Sequence, residues 1–485
     1  MSFSVRAQVS TSSPYSRYAV GDLQLGGFSK NLGMGGLSLG LMQPFNLNHS
    51  NPASYSSLLL TTFEAGGSAS MYEAYTSTSF HSYQYNADFA YLAMGFPLIP
   101  KKWGMSFGLV PYSAVGYSMS EQKYNELGDA EQHIYEGSGG LNQFYVGTGF
   151  GLGRNFYFGV NASFLFGTID QLRKVEYADN SFYNAKVTDE TYISDFYFNA
   201  GLIKSFDSLS IAKSDSIKMF DNRIESYEDS ISKLQKLLKS TEKVSKNDSI
   251  LLSSEREKIS GLIEEMKRME IEADSAREKV KVRRQKSDWS LSIGLTGAPP
   301  ISLKATHSQI AESYYFFNGI EAVRDTIYKL DDKRGEVVLP FNVGLGFTFR
   351  EGTRLITGLD FSLQNWQEYS IFGEQDSLAN SWRVNGGLQW TPNDRSIKSY
   401  FKLVQYRIGG HYEQTYLQLK NTQLTDYGVS LGFGFPMKRV ATVVQMAFEL
   451  GRRGTTVKNL VEMNYVKFTL GFTLNDRWFI PDKFD

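Results

Sequence analysis

The 485-residue sequence contains no cysteine, only twelve prolines, almost no net charge and no long hydrophobic run. Without cysteine, the chain has neither a disulfide framework nor a thiolate metal site. A net charge of −1 gives no broad electrostatic attraction to polyanions, so we expect no nucleic-acid partner. No apolar run reaches the roughly eighteen residues of a transmembrane helix, which excludes a chain anchored by such a helix.

Groupings typical of enzymes are also missing. Residues 36–40, Gly-Leu-Ser-Leu-Gly, match the nucleophile elbow of serine hydrolases but lack the strand-turn-helix setting that exposes the serine. The five histidines have no partner spacing and no metal-ligand spacing with carboxylates. The alternate glycines of residues 147–151 lie at period two in a predicted strand, where they leave room and do not indicate a nucleotide loop. We expect no enzymatic activity, no cofactor and no metal.

The sequence does contain many aromatic residues and glycines, in segments of period two. Its 34 phenylalanines, 29 tyrosines and 44 glycines favour strands in which large side chains alternate with none. The clearest segment places small or polar residues on one face and an apolar face opposite, made of Phe156, Phe158, Val160, Ala162, Phe164 and Phe166. A soluble sandwich would carry charge on its polar faces, whereas here they are mostly small and neutral. This division is typical of a closed barrel with an apolar face in lipid and a polar lumen.

We count about fourteen such segments, so the predicted fold is an all-β transmembrane barrel of about 14 antiparallel strands whose outer surface contacts outer-membrane lipid. The predicted strands lie near residues 58–72, 83–97, 103–119, 139–152, 155–169, 190–205, 287–303, 336–349, 354–369, 380–391, 398–412, 423–435, 439–452 and 462–474. Short links alternate with long polar ones around residues 120–138, 170–189, 304–335, 370–379 and 413–422. Since short turns of such barrels face the periplasm, both termini are predicted to be periplasmic.

Residues 207–286 interrupt the strand pattern. Two runs of apolar residues at a 3,4 spacing predict a pair of helices, and the polar residues 239–249 between them predict a reversal into an antiparallel hairpin. The predicted stripes are Ile217, Phe220, Ile224, Tyr227, Ile231, Leu234 and Leu238, and Ile259, Leu262, Met266, Met269, Ala273, Ala276 and Val280. The hairpin follows strand six, an even strand, so parity places it in the periplasm. Its faces away from the stripes mix charges of both signs, which indicates a solvated arm.

The apolar residues outside both stripes include Ile250, Leu251, Leu252 and Ile263, near the tip and on the flank of the second arm. An exposed apolar group on a long projection is a plausible protein contact, so these residues are predicted to bind a partner.

Two further segments complete the predicted domain organisation. Residues 1–12 are read as the remainder of a leader, and residues 13–54 as an irregular packed segment rich in Gly, Ser, Asn and Leu. Barrel strands follow in residues 55–206 and 287–475, and residues 476–485 form a periplasmic tail. Pro111 interrupts the third strand and predicts a bulge or local gap in the wall, because proline removes a ladder hydrogen bond.

The order of these features resembles the outer-membrane long-chain fatty-acid transporter (FadL-like) family. The features are Asn51-Pro52-Ala53 at the end of the N-terminal segment, the kink at Pro111 and about fourteen strands. The resemblance implies that residues 13–54 fold into the lumen as a plug and that Pro111 marks a lateral opening for hydrophobic solutes. The helical hairpin departs from the family pattern.

Two functions follow. The first is a channel for hydrophobic molecules that uses the plug and the kink. The second is a barrel subunit or anchor in the outer membrane that holds a periplasmic or outer-membrane protein through residues 207–286.

Overall fold

The computed structural model describes residues 13–24, 27–77, 81–124, 130–153, 155–177, 182–206, 210–241, 249–284, 289–376, 378–437 and 442–476. The predicted leader, residues 1–12, lies outside this set, as does nearly all of the predicted C-terminal tail. The chain divides into two compact units, which are a barrel and a smaller unit that contains the inserted helices.

The barrel is a closed antiparallel sheet of fourteen strands, as predicted. It closes because the last strand pairs with the first along its whole length, from Glu462 opposite Tyr75 to Asp476 opposite Thr61. Strands seven and eight are each interrupted once, at Pro299-Pro300 and at Pro340, since proline cannot donate to the ladder. Barrel strands 1 to 14 are Thr61–Tyr75, His81–Ile99, Trp103–Tyr124, Ala130–Gly151, Phe156–Tyr177, Asn184–Phe206, Trp289–Ala298 with Ile301–Phe317, Ile320–Leu339 with Asn342–Glu351, Leu355–Gln364, Ser381–Trp390, Gln405–Leu419, Thr422–Pro436, Thr442–Gly454 and Glu462–Asp476.

Side chains alternate across the wall in the way that the period-two pattern predicts. On strand 5, Val160 is exposed while Asn161 and Ser163 are buried in the lumen. Phe196 on strand 6 and Val429 on strand 12 are more than half exposed on the outer surface. Large apolar side chains therefore cover the outside, where a transmembrane barrel meets hydrocarbon.

Four of the five predicted long loops are mostly strand, so these predictions are wrong. One of them, residues 413–422, contains only the two-residue turn at 420–421 between strands 11 and 12. Strands 3 and 4 are paired as far as Tyr124 and Ala130, strands 5 and 6 as far as Val175 and Ala185, and strands 7 and 8 as far as Phe317 and Ile320. Polar residues occupy both faces of these extensions, which removes the alternation by which strands are recognised. Strands 3 to 8 consequently form a wall taller than the rest of the barrel.

The link between strands 9 and 10, residues 365–380, folds inward. It contains a short 3₁₀ helix, Trp366–Glu368, and two two-residue strands, Ser370–Ile371 and Glu374–Gln375. Trp366 is buried and stacks on Tyr416 of strand 11, with ring centroids 4.3 Å apart. We call residues 365–380 the inner loop.

The N-terminal segment up to strand 1 has little regular structure. It contains two 3₁₀ helices, Pro14–Arg17 and Pro52–Ser57, a two-residue strand, Asp22–Leu23, and one helical turn, Ser29–Leu32. We refer to its described residues from 13 to 60 as the plug.

The inserted unit contains two helices, Ser210–Thr241 and Ser249–Arg284, which pack against each other. Neither helix, within the residues described, has the length and hydropathy needed to cross a membrane. In the first helix the less exposed side chains include Ile224, Tyr227, Ile231 and Leu234, which belong to the predicted stripe.

The stripe of the second helix is confirmed at Ile259, Met266, Ala273 and Ala276, which are among its less exposed side chains, but two of its predicted positions are wrong. Ile263 is buried with 8% of its surface exposed, whereas Leu262 and Met269 are 48% and 39% exposed. The prediction that Ile263 is an exposed partner contact is therefore wrong, and so is the placement of Leu262 and Met269 in the interface. A spacing of three and a spacing of four residues both return to one helix face, so the sequence alone left the register open.

Candidate functional site

The plug fills the lumen and contacts its wall nearly all the way round. Eleven luminal glycines, each on a different strand, have no room for a side chain, because a methyl group on any of them would lie within 3 Å of a plug atom. On Gly387 it would be 2.3 Å from the carbonyl oxygen of Met34, and on Gly294 it would be 1.9 Å from that of Leu39. The set is Gly95, Gly104, Gly149, Gly159, Gly201, Gly294, Gly346, Gly387, Gly409, Gly432 and Gly471. We call it the glycine belt.

Polar side chains of the wall hold the plug backbone. A carboxylate oxygen of Asp360 accepts hydrogen bonds from the backbone amides of Ser38 and Leu39, at 2.6 and 2.9 Å. The backbone amide of Gly35 donates to Ser430 Oγ at 2.8 Å. Asp360 thus satisfies two amides of the irregular backbone, while the amide of Gly35 also donates to the carbonyl of Leu32 at 3.1 Å.

The Asn51-Pro52-Ala53 motif lies at the start of the second 3₁₀ helix of the plug. Asn51 Oδ1 accepts from the backbone amide of Ala53 at 3.2 Å and caps the helix, while Asn51 Nδ2 donates to the carbonyl of Leu39 at 2.6 Å. All three residues of the motif are buried. The motif therefore joins two distant parts of the plug.

The wall is split on one side, next to Pro111. The ladder between strands 2 and 3 runs from Ile99 opposite Trp103 to Leu92 opposite Leu109, and no further rung joins the described residues of the two strands. At the same level, the register between strands 3 and 4 shifts between Pro111 and Ser113. The upper part of strand 3 is thus paired with strand 4 but separated from strand 2.

The plug covers the free edge of strand 3 at this split. Asp22 and Leu23 form two rungs with Ala114 and Ser113, and the backbone amide of Gln24 donates to the carbonyl of Tyr112 at 3.0 Å. Ser113 Oγ adds a hydrogen bond to the carbonyl of Val20 at 2.7 Å. We call residues 20–24 the edge segment.

Two cavities lie beside the split. A cavity of about 220 Å³ in the lumen and one of about 70 Å³ between the plug and the wall share Gln24, His49 and Pro111 in their linings. Phe89, which is half exposed on strand 2, also lines the smaller cavity. Pro111 therefore lies beside both cavities, next to the point where the ladder between strands 2 and 3 ends.

His49 separates these cavities inside the plug. Its ring lies 5.7 Å from that of Phe28 and 5.6 Å from that of Tyr145, measured between centroids. Burial lowers the pKa of His49 to about 4, because the charged imidazolium is poorly solvated there. His49 is accordingly neutral at pH 7.

The other predicted partner contacts are Ile250, Leu251 and Leu252, whose side chains lie outside the described residues. Their role stays a prediction. In the described part of the chain, no cluster of three or more His, Asp or Glu side chains could hold a metal ion.

Sequence reasoning missed the edge segment and His49. The side chain of Asp22 pairs with Arg453 on strand 13, at 2.9 Å. Nothing in the spacing of residues 22 and 453 indicates this contact, and a lone histidine in a glycine-rich segment carries no pattern.

Comparisons with known proteins agree with this architecture. The crystal structure of a Pseudomonas aeruginosa FadL homologue superposes with a TM-score of 0.50 and 9% identity, covering 94% of this chain and 99% of the homologue. The Pseudomonas putida toluene transporter TodX gives a TM-score of 0.49 and 12% identity, over 94% of this chain and all of TodX. No curated protein matches the sequence.

The fold is that of the FadL-like outer-membrane β-barrels, which confirms the resemblance seen in the sequence. The match to solved structures extends no further than the fold. A family model described as BamG matches residues 1–260 and 265–485, and the chain belongs to the BamG family.

Proposed function

We propose that this barrel is a channel for small hydrophobic molecules, which leave the lumen sideways through the split between strands 2 and 3. The observation that carries the proposal is the end of the ladder at Leu92 and Leu109, beside Pro111, at the point where the two cavities meet. A sideways exit delivers an apolar solute to hydrocarbon without crossing the aqueous phase.

The glycine belt supports a lateral route over an axial one. A path along the barrel axis would require the plug to leave a surface that it contacts on eleven strands. Movement of the edge segment alone requires the loss of two rungs, a few hydrogen bonds and the ion pair between Asp22 and Arg453. The smaller rearrangement is the cheaper way to open the barrel.

Locking the edge segment tests the proposal. Leu23 and Ser113 are directly opposed in an antiparallel pair, a spacing that a disulfide bridges, and the chain has no native cysteine to interfere. The Leu23→Cys/Ser113→Cys variant is expressed in cells that lack their own hydrophobic channel. We expect oxidation to abolish uptake of labelled oleate and toluene, and reduction to restore it.

The matched control is Leu450→Cys/Val466→Cys, a directly opposed pair between strands 13 and 14 whose side chains are exposed and line neither of the two cavities. Its oxidation should leave uptake unchanged. Equal uptake by the oxidised and reduced forms of the edge-segment variant would reject the lateral route.

A second candidate function rests on the inserted helices. Three apolar side chains of the hairpin are exposed: Leu237 on the first helix, and Leu262 and Met269 on the second. A hairpin without a binding partner would gain nothing from apolar side chains exposed to water. These side chains would contact a partner protein, in which case the barrel is a membrane anchor. Periplasmic placement of the hairpin belongs to this proposal.

Deletion of residues 208–285, with a short Gly/Ser turn joining strands 6 and 7, tests the anchor role. We expect a folded, heat-resistant barrel that no longer recovers stoichiometric partners in a native pulldown. The Leu262→Gln/Met269→Gln variant, which keeps the buried Ile263, should give the same loss. Full recovery of every partner by both variants would exclude this function.

A further inference from the structure

A third cavity, of about 460 Å³, lies apart from the split in the wall. It is enclosed by the tall wall of strands 3 to 8, by Arg17 and Ala19 of the plug, and by Phe372 and Glu374 of the inner loop. Its volume falls within the range of about 300 to 1,000 Å³ that is usual for small-molecule sites.

The floor of this cavity is a fixed polar network centred on Asp189, which is 7% exposed. One carboxylate oxygen accepts from Arg173 Nη2 at 2.7 Å, and the other accepts from Gln309 Nε2 at 2.6 Å. His307 lies 3.7 Å from Asp189 and 3.2 Å from Thr191 Oγ1. The network holds these side chains in place before any ligand arrives, which lowers the entropic cost of binding.

Aromatic rings line the remaining surface. Tyr117, Tyr135, Tyr328 and Phe372 contribute to the lining, and Phe372 also packs over Gly335, where a methyl group would lie 2.2 Å from the ring. Rings of this kind present flat apolar faces next to polar groups. Such a surface suits a ring-shaped ligand with hydroxyl groups at its edge.

The mouth of the cavity carries an excess of positive charge. Arg17 and Lys333 are both exposed there and form no ion pair with any described carboxylate, while Arg173 is already paired with Asp189. The guanidinium of Arg17 lies 5.3 Å from the centre of the Tyr135 ring, which keeps the cation beside the aromatic surface. Glu374 is the acidic residue of the mouth, so the balance favours an anion.

From this arrangement we infer that the cavity binds an acidic saccharide, with sugar rings on the tyrosines, hydroxyls on the Asp189 network and the anionic group on Arg17 and Lys333. A fatty acid fits less well. Few of the lining side chains are aliphatic, and an alkyl chain in the cavity would lie against the charged groups around Asp189. The ligand is either a free oligosaccharide or the sugar part of a glycolipid, since both present the same chemistry.

Calorimetric titration of the full-length protein in detergent tests the inference, with trigalacturonate, maltotriose and laurate as probes. We expect trigalacturonate to bind and the other two to bind at least tenfold more weakly. The Arg17→Gln/Lys333→Gln variant should lose at least tenfold in affinity for trigalacturonate, and Tyr135→Ala should weaken it as well. Arg17→Lys, which keeps the charge, should retain most of the binding.

Arg395→Gln removes an exposed cation from the turn between strands 10 and 11, outside the cavity lining, and is the matched control. Its affinity should equal that of the unchanged protein. Binding of laurate in preference to trigalacturonate, absence of trigalacturonate binding, or equal affinity of the Arg17/Lys333 variant would overturn the inference. If a whole lipopolysaccharide binds more tightly than its released core oligosaccharide, the ligand is the sugar part of a glycolipid. If the two bind equally, the ligand is a free oligosaccharide.

Discussion

Arg453 on strand 13 forms an ion pair with Asp22 of the edge segment, with 2.9 Å between Arg453 Nη2 and Asp22 Oδ1. Both side chains are largely buried, with 15% and 7% of their surfaces exposed. The same two-residue strand that covers the edge of strand 3 is thereby tied to a strand on the other side of the split. Closure of the split depends on a charge pair as well as on backbone rungs.

Removing one member of this pair should loosen the edge segment. Asp22→Ala leaves Arg453 buried without its partner, a change that typically costs about 3–5 kcal/mol. We expect a lower free energy of unfolding in urea and faster proteolysis near residue 24. The double variant Asp22→Leu/Arg453→Met removes both charges and should recover most of the lost stability. If Asp22→Ala were as stable as the double variant, Asp22 and Arg453 would not form a buried ion pair.

The glycine belt gives a second prediction, about packing between plug and wall. A methyl group on Gly387 would lie 2.3 Å from the Met34 carbonyl oxygen, so Gly387→Ala should force the plug to shift and cost about 1–3 kcal/mol. Gly261→Ala is the matched control, because no atom lies within 4 Å of the added methyl group on the exposed helix. There alanine should stabilise the hairpin by up to about 1 kcal/mol. Melting temperatures of the two variants in one detergent provide the comparison.

Much of the barrel was predictable because lipid and lumen impose opposite demands on neighbouring residues. Val160 faces outward and Asn161 faces the plug, so the two residues differ in exposure. Repeated along a strand, this difference produces the period-two pattern in the sequence. Where both faces carry many polar side chains, as on residues 306–335, the period-two signal is lost and the sequence predicts a loop instead of two strands. The composition of residues 13–54 indicates only an irregular segment, and its prediction as a plug rests on the family resemblance. Its contacts with the glycine belt join residues dozens to hundreds of positions apart, which leaves no local pattern.

The hairpin marks a different limit of sequence reasoning. The spacing predicts the first stripe correctly around Ile231 and most of the second, but it places Leu262 in the interface where the structure has Ile263. Leucine and isoleucine stand next to each other at 262 and 263, so hydrophobicity gave no preference. Only the packing of one helix on the other selects between them.

Placement of large apolar side chains in hydrocarbon can be tested with charge. Phe196 is 57% exposed on strand 6, beside Phe164, so Phe196→Arg should cost about 2–4 kcal/mol in a bilayer. Phe317 is 64% exposed at the end of the extension of strand 7, and Phe317→Arg should be nearly neutral. Ser163 is a poor luminal control, because it is buried and accepts a hydrogen bond from Gln143. Folding titrations into lipid vesicles measure the difference, and equal costs at Phe196 and Phe317 would argue against the lipid band.

The side of the membrane on which the inserted helices lie follows from strand parity. Because the chain has no cysteine, single cysteines report accessibility without background. Ile320→Cys, at the end of a long extension, should react with an impermeant maleimide on intact cells. Lys258→Cys, on the exposed face of the second helix, should react only after the outer membrane is opened. Labelling of Lys258→Cys on intact cells would place the hairpin outside the cell.

The last prediction concerns the pH dependence of plug packing. The pKa of His49 is about 4 in the folded protein, below the value of about 6.5 for an unfolded chain. Between these two pH values the unfolded state binds more protons at this residue, so stability is fully present above pH 6.5 and falls as the pH drops towards 4. The loss assigned to His49 is on the order of 3 kcal/mol.

Other groups titrate in the same range, so the measurement is a difference between two proteins. Urea unfolding from pH 7.5 to pH 4 is compared for the unchanged protein and for His49→Gln, which cannot be protonated. The unchanged protein should lose more stability than the variant on acidification, and the gap should widen mainly between pH 6 and 4.5. Parallel curves for the two proteins would mean that the imidazole is solvated, which would require the cavities on either side of His49 to open to water.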